Sequence, residues 1–204
     1  MDSLRPDRPS RRHFLKSGLA PAALILAARA PVLAQGRSLP ATPACGEPTP
    51  RQTAGPFFKA GSPQRTSLVE PGMTGTRLVV SGRVLSAACA PIRGARLDFW
   101  QADDAGEYDN RGYRLRGHQL TDAEGRYRLE TVVPAGYPGR TRHIHVRVQA
   151  PGGPVLTTQL YFPEEPLNRR DGIFDPALVL TVDEAAGGGK TGRFDFVVPT
   201  AGRG

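Results

Sequence analysis

Thiols, tryptophan and long apolar runs are scarce in this chain, and each scarcity narrows the reading. Two cysteines in 204 residues, Cys45 and Cys89, are too few for a disulfide-dense scaffold. No segment carries a sustained helical period with caps at its ends, which excludes a helical bundle. There is no lysine-rich run and no basic patch interleaved with aromatics, so nucleic acid is not an expected partner. Past residue 34 nothing is apolar and long enough to span a membrane. Glycine and proline are plentiful instead, 24 and 20 residues, and they cut the chain into short segments.

Residues 1–34 read as an address, not as part of the fold. Ser10-Arg-Arg-His-Phe-Leu-Lys16 is a twin-arginine pattern, and the apolar run from Gly18 to Leu33 ends in the small-residue pattern Val32-Leu-Ala34. Pro21 and Arg29 interrupt that run, so it does not suit a spanning helix. The expectation is a cleaved signal for twin-arginine export to the bacterial periplasm or beyond, with no membrane contact after cleavage. That route carries folded proteins, often with a cofactor in place. Without this segment the chain keeps 21 basic and 17 acidic residues, a net charge of +4 against +8 for the whole. An oxidising compartment makes a Cys45–Cys89 disulfide one reading, worth about 4 kcal/mol in the chain-entropy model, with two free thiols as the other.

The remainder fits one domain. Residues 35–75 are rich in Pro, Gly, Thr and Arg without a period and are expected to form an arm or loop over the body, 76–204. The body holds short alternating runs bounded by turn residues: Arg77–Leu85, Ala95–Ala102, Gly125–Val133, the stretch from His143, Val155–Phe162, Ala177–Val182 and Gly192–Val198. Asp122-Ala-Glu-Gly125 is a tight-turn signal between Gln119–Thr121 and the third run. Many short strands with no competing helices predict an all-β, antiparallel sandwich with long loops.

One stretch organises the chemistry. In His143-Ile-His145 the two imidazoles stand at i and i+2, and a strand's period of two sends both to one face. Ile144, Val146 and Val148 then pack inward, while His143, His145, Arg147 and Gln149 share the other face. Tyr137 sits six residues before His143 in a Gly-Tyr-Pro-Gly turn, and Tyr108 ends the loop after the Phe99-Trp-Gln run. Gln159 is a polar residue amid an apolar strand. Two imidazoles and two phenolates make a hard, anionic donor set that suits ferric iron better than zinc or magnesium.

At these residues the sequence resembles the intradiol ring-cleavage dioxygenases. The blocks that carry the resemblance are Phe99-Trp-Gln-Ala-Asp103 with Tyr108, Gly117-His-Gln-Leu-Thr-Asp122, Val133 through His145, and Thr158-Gln-Leu-Tyr-Phe162. It implies a β-sandwich and one non-haem Fe(III) per chain held by Tyr108, Tyr137, His143 and His145. It also implies that Tyr137 is displaced when a catechol binds as a dianion, and that Arg140 and Gln159 sit beside the activated ring. The expected reaction opens the ring between its two hydroxyl-bearing carbons with O2, giving a muconate-type diacid. The chain lacks the helical dimerisation segment of the catechol 1,2-dioxygenases, so their dimer mode is not carried over, and an oligomer of another kind stays open.

Other assignments stand beside these. Tyr113 competes with Tyr108, and Arg142 could be solvated beside Arg140. His118 is assigned no role, Trp100 reads as core or pocket wall, and Asp122 as a turn residue. The rival from another class is a non-catalytic, transthyretin-like β-sandwich module, suggested by Gly82-Arg-Val and Thr121-Asp-Ala-Glu-Gly-Arg-Tyr; it has no use for the tetrad. A zinc or copper hydrolase lacks a third ligand at useful spacing.

Overall fold

A computed structural model describes residues 46–200, which fall within one compact unit, Arg37–Gly204. The expected signal segment and Cys45 lie outside the described residues. Among those described, no helix is long and apolar enough to cross a membrane.

Two β-sheets pack face to face. The strands are β1 (Arg77–Leu85), β2 (Arg96–Gln101), β3 (Arg116–Leu120), β4 (Arg126–Val132), β5 (His143–Gln149), β6 (Val155–Tyr161), β7 (Thr181–Glu184), β8 (Lys190–Arg193) and β9 (Phe196–Val197). One sheet runs β4-β1-β8-β7, with β9 also on β1; the other runs β3-β2-β5-β6. The second sheet is antiparallel throughout, with His145 opposite Trp100 on one side and Gln159 on the other. Alternation explains the core. Leu97, Phe99, Ile144, Val146 and Val148 from this sheet meet Leu78, Val80, Tyr127 and Leu129 from the other in one buried cluster.

The first sheet departs from the expected pattern in three places. β8 and β9 both run parallel to β1, so the sandwich is not purely antiparallel. The run expected as one strand over 192–198 is broken at Phe194–Asp195. There the Asp195 carboxylate accepts the Arg83 N–H at 2.7 Å and takes the place of a ladder carbonyl. Phe194 O passes so close to Gly82 that a Cβ there would lie 1.8 Å from it, so only glycine fits. The expected strand Ala177–Val182 begins instead as a 3₁₀ turn, Pro176–Leu178. Asp175 caps that turn by accepting from Ala177 N at 2.9 Å, and Pro176 has no N–H for a ladder.

The arm is what positions the site. It laces the sheets at their edges: Thr49 exchanges hydrogen bonds with Val197, Gln52 N donates to Thr157 O, and His118 N donates to Pro63 O. Leu68 N then donates to Glu130 O, and Leu68 is fully buried in the core. The face of β5 that carries the histidines is therefore roofed and not solvated. Cys89, in the β1–β2 connection, is disulfide-bonded.

Candidate active site

Each functional side chain is held by a local device that the sequence supplies. His143 and His145 share a face of β5, as alternation requires, and both are almost wholly buried. Nδ1 of His143 lies 2.7 Å from the Thr141 carbonyl, so it carries the proton and Nε2 keeps a lone pair. Tyr137 opens a tight turn closed by reciprocal backbone hydrogen bonds with Arg140, in which Pro138 presets φ and Gly139 takes φ +80. The Tyr108 loop is stapled by Asp103, which accepts from Ala105 N and Glu107 N and pairs with Arg114 at 2.6 Å. Ala135 N donates to Asp103 O, tying that loop to the Tyr137 turn.

These devices bring the four expected donors together. His143 Nε2 lies 3.1 Å from His145 Nε2 and 3.4 Å from the Tyr108 hydroxyl. The Tyr137 ring is 5.7 Å from that of His143 and 6.0 Å from that of Tyr108. Burial lowers the His143 pKa to about 4, and the Arg140 charge adds to the drop. Burial also lowers that of His145 well below its ordinary value, with His143 and Arg140 contributing. Both imidazoles are therefore neutral at pH 7, the form that ligates metal. Burial pushes the Tyr108 phenol up, the Tyr137 hydroxyl adds to the rise, and Arg140 and Arg116 oppose it.

The His143 Nε2 lone pair, His145 Nε2 and the Tyr108 phenol are three ligating atoms converging on one point. Neutral acceptors 3.1 Å apart repel unless a cation or proton lies between them, so the set fits a bound metal. Among the described residues no group of three or more His, Cys, Asp or Glu side chains could hold one. Any metal here must use the phenols, which favours a hard, highly charged ion.

Arg140 and Gln159 meet beside the tetrad, Arg140 Nη2 donating to Gln159 Oε1. Gln159 in turn donates to Thr53 O at 3.0 Å. The competing assignments separate cleanly. Tyr113 turns away and donates to Ala60 O at 2.9 Å, with Lys59 over its ring. Arg142 pairs with Glu165 at 3.1 Å, and Asp122 serves its turn. His118 Nδ1 lies 2.8 Å from Ser62 O, a clasp on the arm. Trp100 is a wall, stacked on the His145 ring at 4.8 Å and 4°.

Four contributors escaped the sequence reading. Asp171, its side chain 1% exposed, accepts from Arg140 Nε at 2.9 Å, Thr141 N at 3.0 Å and Ile173 N at 3.1 Å. Arg116 is buried and, among the described residues, has no acid in ion-pair contact; it donates to Phe57 O and Asp109 O and lies 5.9 Å from the Tyr108 ring. Phe57 stacks on Tyr108 at 4.3 Å, and Gly55 (φ +62) brings the arm against His145. An Asp-Gly after a run of charges reads as a surface turn, and nothing local in the arm says which strand face it covers.

A family model described as Dioxygenase matches residues 53–199. The solved dioxygenase domain of a dioxygenase and carbohydrate-binding fusion from the cellulolytic bacterium Streptomyces sp. SirexAA-E is 58% identical, with a TM-score of 0.73. It covers 76% of this chain and 100% of its own. An intradiol ring-cleavage dioxygenase from Tetranychus urticae is 25% identical with a TM-score of 0.69, covering 78% of this chain and 97% of its own. The protocatechuate 3,4-dioxygenase beta chain of Burkholderia cepacia is 38% identical over 118 residues, 49% of this chain and 50% of that one. The chain spans about half the length of the curated relatives it matches.

Proposed function

Because the chain belongs to the intradiol ring-cleavage dioxygenase family, we propose that it opens a catechol-type ring between the two hydroxyl-bearing carbons, using O2. Both oxygen atoms end in the two carboxylates of a muconate-type product, so no external reductant is required. The observation that carries this reading is the convergence of His143 Nε2, His145 Nε2 and the Tyr108 hydroxyl within 3.1–3.4 Å.

Tyr108, Tyr137, His143 and His145 would hold one non-haem ferric ion. Such an ion supplies a Lewis acid and a template for a chelating diol, with two phenolates keeping it oxidised. The chain's own residues do the rest. Thr141 O fixes the His143 tautomer, so Nε2 is ready as a donor. Trp100 and Phe57 wall the donors and exclude water. Arg140, held by Asp171 through Nε and by Gln159 through Nη2, stands beside the donors where negative charge would develop on the substrate. Tyr137 sits on a turn, not on a strand, which suits a group that must yield its place to the diol.

The twin-arginine pattern Ser10–Lys16 supports export of the folded protein, and so a catechol met outside the cytoplasm. Replacing Arg11 and Arg12 with lysine should leave the protein in the cytoplasmic fraction of a producing cell.

The visible spectrum of the purified protein, with iron quantified on the same sample, tests the site. A tyrosinate-to-iron band with about one iron per chain, and oxygen uptake matched to catechol loss, is expected. A protein that stays colourless after ferric loading overturns the proposal.

A further inference from the structure

The outer face of the β3-β2-β5-β6 sheet is divided along its length. One half, with Trp100, His143, His145 and Gln159, is roofed by the arm and forms the site above. The other half is only partly covered by the arm. There Arg96 and Asp98 of β2, Arg147 of β5 and Val155 of β6 line a cavity of about 210 Å³ beside Phe58 of the arm. That is below the about 300 Å³ at which drug-sized ligands begin, so it suits a small molecule.

Charge in this cavity is unbalanced in one specific way. Asp98 is already satisfied: it accepts from Ser62 Oγ at 2.6 Å and pairs with Arg96 at 2.9 Å. Arg147 stands directly across the strand from Asp98 yet does not pair with it. Its guanidinium lies over the Phe58 ring at 4.5 Å instead, and it makes no ion pair or hydrogen bond among the described residues. An arginine stacked on an aromatic face keeps its edge N–H groups free, and that edge matches a carboxylate in a two-point hydrogen-bonded pair.

We propose that this cavity is a second binding site, distinct from the catalytic one, for a small aromatic or apolar carboxylate. Arg147 takes the carboxylate, and Phe58 and Val155 pack against the ring or chain. The site is coupled to the catalytic half by contact. Phe58 meets Trp100 edge-on at 5.0 Å, and Trp100 stacks on His145 at 4.8 Å, so an occupant that shifts Phe58 is felt at the histidine pair. Binding at Arg147 and Phe58 does not require that the protein cleave catechols.

Trp100 is the only tryptophan in the chain, so its fluorescence reports on this cavity without a label. Benzoate titrated into the purified full-length protein should give a saturable change, weakened by added salt. Arg147→Gln should weaken that binding at least tenfold. Val155→Glu, which puts a competing carboxylate in the opposite wall, should do the same even if the first variant folds poorly. Arg140→Gln, in the catalytic half, should leave benzoate affinity within twofold of wild type. No saturable change, equal affinity in wild type and the two cavity variants, or a loss confined to Arg140→Gln would each overturn the proposal. The last outcome would assign the signal to the catalytic cavity.

Discussion

The two sheets of this sandwich bury the same kind of inner face but treat their outer faces in opposite ways. On the β4-β1-β8-β7 sheet, Arg128 pairs with Glu130, Lys190 with Glu184 and Arg193 with Asp183, all at the surface. On the β3-β2-β5-β6 sheet the corresponding face carries His143, His145 and Gln159, each 2% exposed or less beneath the arm. The lesson is that polarity alone does not separate a solvated face from a reactive one. Covering does, because it desolvates the imidazoles, keeps them neutral and turns every nearby charge into a strong influence.

The contrast is broken most severely at the buried pair. His143→Ala should reduce bound iron below a tenth of wild type and abolish turnover, read by metal analysis and oxygen uptake on one preparation. Retained iron would remove His143 from the ligand set. Next in size is Asp171→Asn, which keeps a hydrogen-bond acceptor but removes the charge that orients Arg140. Turnover should fall at least tenfold with iron content and the visible band unchanged, and Asp171→Glu should recover part of the loss. Equal loss of iron and turnover would mean that Asp171 only supports the fold.

Acid should expose the same difference without mutation. The unfolded His143 binds its proton near pH 6.5 and the folded one near 4, so between these values the unfolded chain holds more protons. Stability of the metal-free protein therefore rises with pH across that window. About 3 kcal/mol from this group should be present above pH 6.5 and lost by pH 4, measured by urea unfolding. A profile that is flat there, or unchanged in His143→Gln, would contradict the burial argument. At the other extreme lies the solvated sheet. Arg128→Ala should move stability by no more than about 0.5 kcal/mol and leave turnover unaltered, since exposed ion pairs contribute little.

Much of this was legible because it obeys short-range rules. Alternation places β1, β2, β4, β5 and β6 to within a residue or so, and it puts both histidines on one face. The Gly-Tyr-Pro-Gly turn and the Asp122 turn follow from backbone chemistry that any sequence reader can apply. What escaped depends on distant chain. No local rule says that residues 52–58 will lie over β5 and β6, or that Arg65 N and Pro63 O will bond with His118 on β3. The parallel pairing of β8 with β1 is equally silent, as is the salt bridge that links Arg140 to Asp171 across 31 residues. The strand expected over 177–182 failed at its start, where Pro176 has no N–H for a ladder.

The arm also has a meaning in time. Thr49 bonds with Val197, 148 residues away, and Arg51 reaches Val155 across 104. Such separations belong to slow-folding topologies, because each closure fixes a long loop before any contact repays it. The segment that roofs the histidines precedes in the chain every strand it clasps, so its bonds with Thr157 and Val197 close long loops. Refolding from urea should therefore show the sheets forming first and the change in Trp100 emission, which needs Phe58 overhead, arriving in a later phase.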